Sequence, residues 1–148
     1  MKVGDYMSLD NTPTSVSYAL KMAKQYYPKD KYDHAIRVMG YVAENEMIPY
    51  DYKDDCLALA IMHDLIEDTE YTGSGLPQNM YKALKALSKP KDEDYITYIK
   101  RIKECSHTNW GMCAYWVKLA DMKDHLAQTD TLTDRLKDKY LKALPYLL

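Results

Sequence analysis

Side chains that can carry out acid–base or metal chemistry are concentrated between positions 63 and 69 of the 148-residue sequence. His63, Asp64, Glu67 and Asp68 follow directly on the apolar stretch 56–62. Carboxylates at the edge of an apolar core are unfavourable unless a cation compensates them, and a metal ion is the cation that also uses the imidazole. The segment therefore predicts a metal-centred hydrolytic site. A solvated acidic helix end is the alternative that this segment alone leaves open.

Two more residues are candidates for the same site. Successive residues of a helix differ by about 100° around its axis, so His63 and Asp64 both reach one ion only if it lies beside the helix. The remaining ligands must then come from elsewhere. His34 lies near the start of a predicted helix, where a histidine is also commonly a satisfied core or surface residue. Asp121 lies within an apolar helical pattern, where an isolated carboxylate is unfavourable and is expected to have a partner.

Helical periodicity dominates the chain, and strand-like alternation is scarce. The pattern predicts a helix that follows a cap at Thr12 and ends before Pro28, a second over about 31–47, and an apolar, central third over about 52–67. The loop over 69–76 is long enough to be a mobile flap beside the site. Further helices are predicted from Pro77 to about 87, over about 95–102, from a cap at Asn109 to about 122, and over about 133–145. The expected fold is all-α, a single domain over 1–148 that forms a bundle of about six to seven helices.

Composition and charge exclude several functional classes. The net charge of −2 gives no overall field that favours nucleic acid or an anionic membrane. No apolar run approaches the roughly 18 residues of a membrane span, and the first residues lack the apolar core of a signal peptide, so a cytoplasmic location is expected. The three cysteines are odd in number and form no C-x-x-C pair, which argues against a disulfide framework or a thiolate zinc site.

Four segments together resemble the HD-domain metal-dependent phosphohydrolases, and within them the hydrolase domain of the RelA/SpoT family, including its small single-domain members. That family's pattern is a lone His after a Tyr-containing approach, then His-Asp-x-x-Glu-Asp-Thr, a Leu-Thr-Lys-like segment, and Val-Lys-Leu-Ala-Asp. The corresponding segments of this chain are Tyr32-Asp33-His34, His63 to Thr69, Leu87-Ser88-Lys89, and Val117 to Asp121. Their order and spacing match from about 17 to 126, which is most of the chain.

The resemblance implies a function and a set of roles. The implied reaction is hydrolysis of the 3′-pyrophosphate of guanosine tetra- or pentaphosphate, or of a related nucleotide, by a water that one divalent ion activates, most often manganese in this family. The implied metal ligands are His34, His63, Asp64 and Asp121. The implied catalytic pair is Glu67 and Asp68, and the candidate substrate-binding residues are Lys29, Lys31, Lys89 and His125. The residue types agree with such an ion, because mixed imidazole and carboxylate ligands suit a borderline-to-hard metal that keeps positions open.

Two departures from the family pattern affect the substrate and leave the metal ligands untouched. The Arg-Lys pair and Gly-Glu-Pro-Tyr segment that commonly precede the first metal histidine are replaced by Pro28 to Tyr32, without arginine, and His125 occupies the position of an asparagine that lies near the nucleotide. The alternatives are therefore an HD-type phosphatase for another nucleotide and a non-catalytic, metal-containing nucleotide-binding module. A small-molecule partner is expected, without nucleic acid or membrane; the sequence leaves a homo-oligomer open.

Overall fold

A computed structural model describes residues 8–148, which fold into an all-α bundle and contain no strand. Seven helices have nine or more residues, and one, α4, is a single turn, so the predicted fold class and number of helices are confirmed. The helices are α1 (Val16–Tyr26), α2 (Lys29–Glu44), α3 (Lys53–Met62), α4 (Leu65–Asp68), α5 (Gln78–Ala86), α6 (Tyr95–Cys105), α7 (Asn109–Ala127) and α8 (Asp134–Leu147).

The helix starts follow the chemistry of N-terminal capping. The hydroxyls of Ser15, Thr108 and Thr133 each accept a hydrogen bond from an amide in the first turn of α1, α7 and α8, respectively. The predicted caps at Thr12 and Asn109 are wrong, by three residues and by one residue. A hydroxyl that can reach a free amide decides the position of the cap, and spacing alone locates helix ends only approximately.

Helices α3 and α7 form the centre of the bundle. Helix α3 packs against α1, α2 and α7, and α7 also contacts α2, α5 and α6. Nearly every residue of α3 after its first turn is buried, which agrees with its apolar sequence. Because α2, α3 and α7 pack on one another, side chains that project from these three helices can meet inside the bundle.

The prediction of one continuous helix over 52–67 is wrong, because the helix is interrupted at His63 and Asp64. Helix α3 ends at Met62, and α4 begins at Leu65, with His63 and Asp64 between them. The interruption leaves the backbone amide of Asp64 without a helical partner, and it donates instead to the hydroxyl of Tyr27 at 3.0 Å. A hydroxyl from the end of α1 thus satisfies a group that a break would otherwise leave unpaired. His63 and Asp64 thus lie outside both helices, where the chain passes from α3 to α4.

Polar contacts join the first turn of α3 to other parts of the chain. The ammonium of Lys53, at the start of α3, donates to three carbonyl groups at the end of α2, those of Val42, Ala43 and Asn45. The buried carboxylate of Asp55 accepts from the amide of Leu9 at 3.1 Å. The contacts of Lys53 join α2, which carries His34, to α3, which leads to His63. No helix within residues 8–148 is long and apolar enough to cross a membrane.

Before α5, residues 69–77 pack against α1. The hydroxyl of Tyr71 lies 3.0 Å from that of Tyr18, and its ring meets Tyr26 edge-on. Gly73 and Gly75 adopt positive φ angles of 78° and 89°, which glycine accommodates without strain. No residue of this loop lines the cavity that adjoins the candidate site. The mobility of the loop stays a prediction.

Candidate metal centre

Four side chains from three parts of the chain converge at the junction of α2, α3 and α7. His34, His63, Asp64 and Asp121 each offer one ligand atom, and these atoms lie within 4.8 Å of one another. Nε2 of His34 and Nε2 of His63 lie 2.8 and 3.1 Å from Oδ1 of Asp121, and Nε2 of His63 also lies 3.1 Å from Oδ2 of Asp64. The sequence-predicted ligand set is thus brought together, and it can hold a metal ion.

Both histidines are oriented through their second ring nitrogen. Nδ1 of His34 donates to the carboxylate of Asp124 at 2.7 Å, and Nδ1 of His63 donates to the carbonyl of Ala60 at 2.7 Å. A neutral imidazole with a hydrogen on Nδ1 presents its lone pair on Nε2, which is the nitrogen that faces the cluster. The same arrangement of a carboxylate or carbonyl behind a ligating histidine is usual in protein metal sites.

Asp124 is itself held in place by a cation. Its side chain is fully buried and accepts from Nε of Arg37 at 2.9 and 3.1 Å. Burial raises the pKa of the Asp124 carboxyl, but the hydrogen bonds from Arg37 and His34 outweigh that effect and lower the pKa below its usual value. Asp124 is therefore a charged acceptor for His34. The sequence analysis missed this residue, although its spacing of three from Asp121 puts both carboxylates on one face of α7.

Asp121 is the most enclosed carboxylate of the cluster. The ammonium of Lys118, one turn earlier on α7, donates to Oδ2 of Asp121 at 2.7 Å and leaves Oδ1 to the imidazoles. Burial alone would raise the pKa of Asp121, but Lys118 and the histidines that surround it hold the pKa well below its usual range. Burial would lower the pKa of Lys118, and Asp121 with the neighbouring Tyr98 and Tyr95 raises it well above its usual value. The two groups therefore form a buried ion pair.

His125 is a third imidazole beside Asp121. Its Nε2 lies 3.2 Å from Oδ1 of Asp121, and its ring stacks on Tyr140 of α8 at 4.9 Å between centroids. The ring also lies 4.6 Å from that of His34. His125 was predicted to contact substrate; it lines the cavity and is packed against the ligand cluster at the same time.

The donor chemistry of the cluster fits a divalent metal ion. Two imidazole nitrogens and two carboxylate oxygens suit first-row ions of borderline to hard character, and no cysteine lies among the four ligands. The carboxylates compensate the charge of such an ion, and Asp124 and the Ala60 carbonyl orient its histidines. Of the four side chains, that of Asp64 is the most exposed, at 20%. The site is thus buried on one side and opens to a cavity at Asp64.

A cavity of about 560 Å³ adjoins the cluster and carries the predicted catalytic pair on its wall. Glu67 accepts from the backbone amide of Lys89 at 2.6 Å, and Asp68 accepts from the ammonium of Lys31 at 3.0 Å. Burial raises the pKa of Glu67 above its ordinary value; the Lys89 amide opposes this shift, and the charges of Asp64 and Asp68 add to it. Glu67 is therefore the carboxyl group of this wall with a raised affinity for a proton.

Of the three lysines predicted to bind substrate, two line the cavity and one does not. Lys31 and Lys89 line the cavity, whereas Lys29 does not; its side chain is 89% exposed and is paired with Asp33, which lies at the cavity. The ammonium of Lys89 turns away to the carbonyls of Pro90 and Glu93. Helix α8 supplies a lysine to the cavity, Lys139, that the sequence analysis did not single out. A lysine on an otherwise polar helix face gives no signal of such a position.

Comparisons of this chain with models of known protein families and with curated proteins found no match.

Proposed function

We propose that this chain is a metal-dependent phosphohydrolase that acts on a small phosphorylated nucleotide. The observation that carries the proposal is the convergence of His34, His63, Asp64 and Asp121 at the edge of a cavity that also contains Glu67. The resemblance of the motif segments to HD-domain hydrolases of the RelA/SpoT type supports the same reaction class. Manganese is the proposed ion, since an imidazole and carboxylate set without thiolate accommodates it.

We assign a separate role in the reaction to each group of residues on the cavity wall. The chemistry that a divalent ion supplies in such a site is Lewis acidity toward phosphoryl oxygens and a lowered pKa of water. Glu67 accepts the proton of the attacking water, a role that its raised pKa favours. The water oxygen forms the new bond to phosphorus, and the leaving oxygen departs with the electron pair of the bond that breaks. Asp68 and Lys31, paired at 3.0 Å, lie at the same wall, where they would contact the leaving group.

Removal of the 3′-pyrophosphate of guanosine tetraphosphate is the leading reaction. The cavity volume of about 560 Å³ is within the range of small-molecule sites. Carboxylates and lysines both line this cavity, so a phosphate-rich ligand would need the charge of a bound divalent ion in addition to that of the lysines. His125, in the place of the asparagine of the family pattern, is the residue through which the nucleotide preference is expected to differ.

The test is a substrate panel with purified protein and varied divalent ions. We expect release of pyrophosphate from guanosine tetraphosphate with manganese, and a loss of turnover by about a hundredfold or more in Glu67→Gln, a variant expected to retain manganese. Glu70→Gln, an exposed neighbour of the same chemistry, is the matched control. Binding of the nucleotide without turnover by the wild type would replace this proposal with a nucleotide-binding module. Cleavage of other nucleotides but not of guanosine tetraphosphate would refute the substrate and keep the reaction class.

A further inference from the structure

The break between α3 and α4 involves an exchange of hydrogen-bond partners. In a continuous helix the amide of Asp64 would donate to the carbonyl of Ala60, four residues earlier. That carbonyl instead accepts from His63, through the backbone amide at 3.5 Å and through Nδ1 of the ring at 2.7 Å. The hydrogen bond that orients one candidate ligand therefore uses the acceptor that the amide of the next ligand would have in a helix.

The amide of Asp64 finds its acceptor in another part of the chain. The hydroxyl of Tyr27, directly after α1, accepts from it at 3.0 Å. Tyr27 is buried and does not line the cavity beside the metal cluster. Because a tyrosine hydroxyl is neutral near pH 7, it satisfies the amide without bringing a second negative charge to the carboxylate of Asp64. Tyr27 therefore acts on the backbone of a ligand and not on a substrate in the cavity.

The backbone leaves the helical conformation at the residue that Tyr27 contacts. His63 is still helical, with φ −57° and ψ −31°, whereas Asp64 has φ −101° and ψ 1°, in the sparsely populated bridge region. In this conformation Oδ2 of Asp64 lies 3.1 Å from Nε2 of His63. The contact between the two ligands thus depends on a backbone conformation in which the Asp64 amide has no helical acceptor.

We infer that Tyr27 is a positioning residue of the metal centre, because its hydroxyl holds the amide of Asp64 and leaves the carbonyl of Ala60 to His63. The inference rests on the metal centre of the proposed function, and it concerns binding of the ion, not hydrolysis. Without the hydroxyl, the amide of Asp64 would be unpaired or would compete with His63 for the carbonyl of Ala60, and both results disturb a ligand.

The test is Tyr27→Phe, which removes the hydroxyl and keeps the ring. We expect its affinity for manganese, followed by electron paramagnetic resonance without nucleotide, to fall by about tenfold or more. Tyr18→Phe is the matched control, because Tyr18 lies on α1 and its hydroxyl bonds to that of Tyr71 at 3.0 Å, and neither residue lines the cavity. Each variant loses one hydroxyl hydrogen bond, so urea unfolding should show a similar loss of stability in both. The manganese affinity of Tyr18→Phe should equal that of the wild type.

A second measurement tests the contact in the wild type without metal. The amide of Asp64 should be protected from hydrogen exchange in nitrogen-15 NMR spectra, because Tyr27 accepts its hydrogen. An unprotected amide would overturn the inference.

The manganese titrations separate this inference from the proposed reaction. A Tyr27→Phe affinity within about twofold of the wild type, or equal losses of affinity in both variants, would overturn the inference even if the protein hydrolyses guanosine tetraphosphate. The absence of saturable manganese binding by the wild type would overturn it together with the metal centre. Weakened binding in Tyr27→Phe alone supports it, even if no nucleotide is hydrolysed.

Discussion

Replacement of Asp124 tests how the protein holds His34 toward the metal cluster. Asp124 is fully buried and accepts from Nδ1 of His34 and from Nε of Arg37, which is 41% exposed. In Asp124→Asn one carboxylate oxygen becomes an NH2 group that cannot accept from Arg37 or His34, and the negative charge that pairs with Arg37 is lost, so the hydrogen bond that orients His34 is weakened. Loss of such a partner behind a ligating histidine lowers metal affinity by about 10- to 100-fold, or about 1.4–2.8 kcal/mol.

The assay is a manganese titration followed by electron paramagnetic resonance, with urea unfolding to verify that each variant is folded. Asp138→Asn is the matched control, since Asp138 is 61% exposed and paired only with Lys142 on the surface of α8. Its manganese affinity should be unchanged. An Asp124→Asn affinity within about twofold of the wild type would show that Asp124 does not orient His34, and the absence of saturable manganese binding by the wild type would refute the metal centre.

Three further predictions concern stability, each measured by urea unfolding. Gly111→Ala should destabilise the protein by about 3 kcal/mol or more, because the added Cβ would lie 1.9 Å from the carbonyl oxygen of Cys105. Gly40→Ala should stabilise it by about 0.5–1 kcal/mol, because the added Cβ would lie in open space within α2. Equal effects of the two substitutions would contradict the close contact at Gly111. Asp10→Ala should cost about 1 kcal/mol, since this carboxylate accepts from two amides in the first turn of α5, which has no side-chain cap of its own. Asp10→Asn should retain only part of that stability, because it keeps one acceptor oxygen, whereas Asp10 uses both of its oxygens. Burial raises the pKa of Asp55 in the folded protein above its unfolded value, so protonation of this group favours folding. The free energy of unfolding should therefore increase as the pH falls from the raised pKa to 3.8. Asp55→Asn should remove this increase, and an unchanged pH dependence in that variant would contradict the prediction.

The fold class could be predicted because it rests on a local pattern, whereas the four candidate ligands were singled out together by the resemblance of the motif segments. Helical periodicity of apolar residues indicates the long helices directly, and a carboxylate in the apolar stretch of α7 requires a partner wherever the helices meet. Asp121 has that partner in Lys118, and its other oxygen faces the two histidines.

The break between α3 and α4 could not be predicted in the same way. Residues 56–67 have the composition of one continuous helix, and the group that satisfies the interrupted backbone, the hydroxyl of Tyr27, comes from a distant part of the chain. The position of Lys139 at the cavity could not be predicted for the same reason, because it depends on packing between distant parts of the chain. Lys139 is an ordinary polar residue in its own helix, and only the packing of α8 beside α6 brings it to Tyr95.

The contacts of Lys53 have a consequence for the chemical reactivity of this protein. Its ammonium donates to three carbonyl oxygens at the end of α2, and these contacts must be given up before the nitrogen can react. Acylating labels should therefore modify Lys53 more slowly than the exposed lysines of the chain. Once modified, this side chain would no longer join the helix of His34 to the helix that leads to His63.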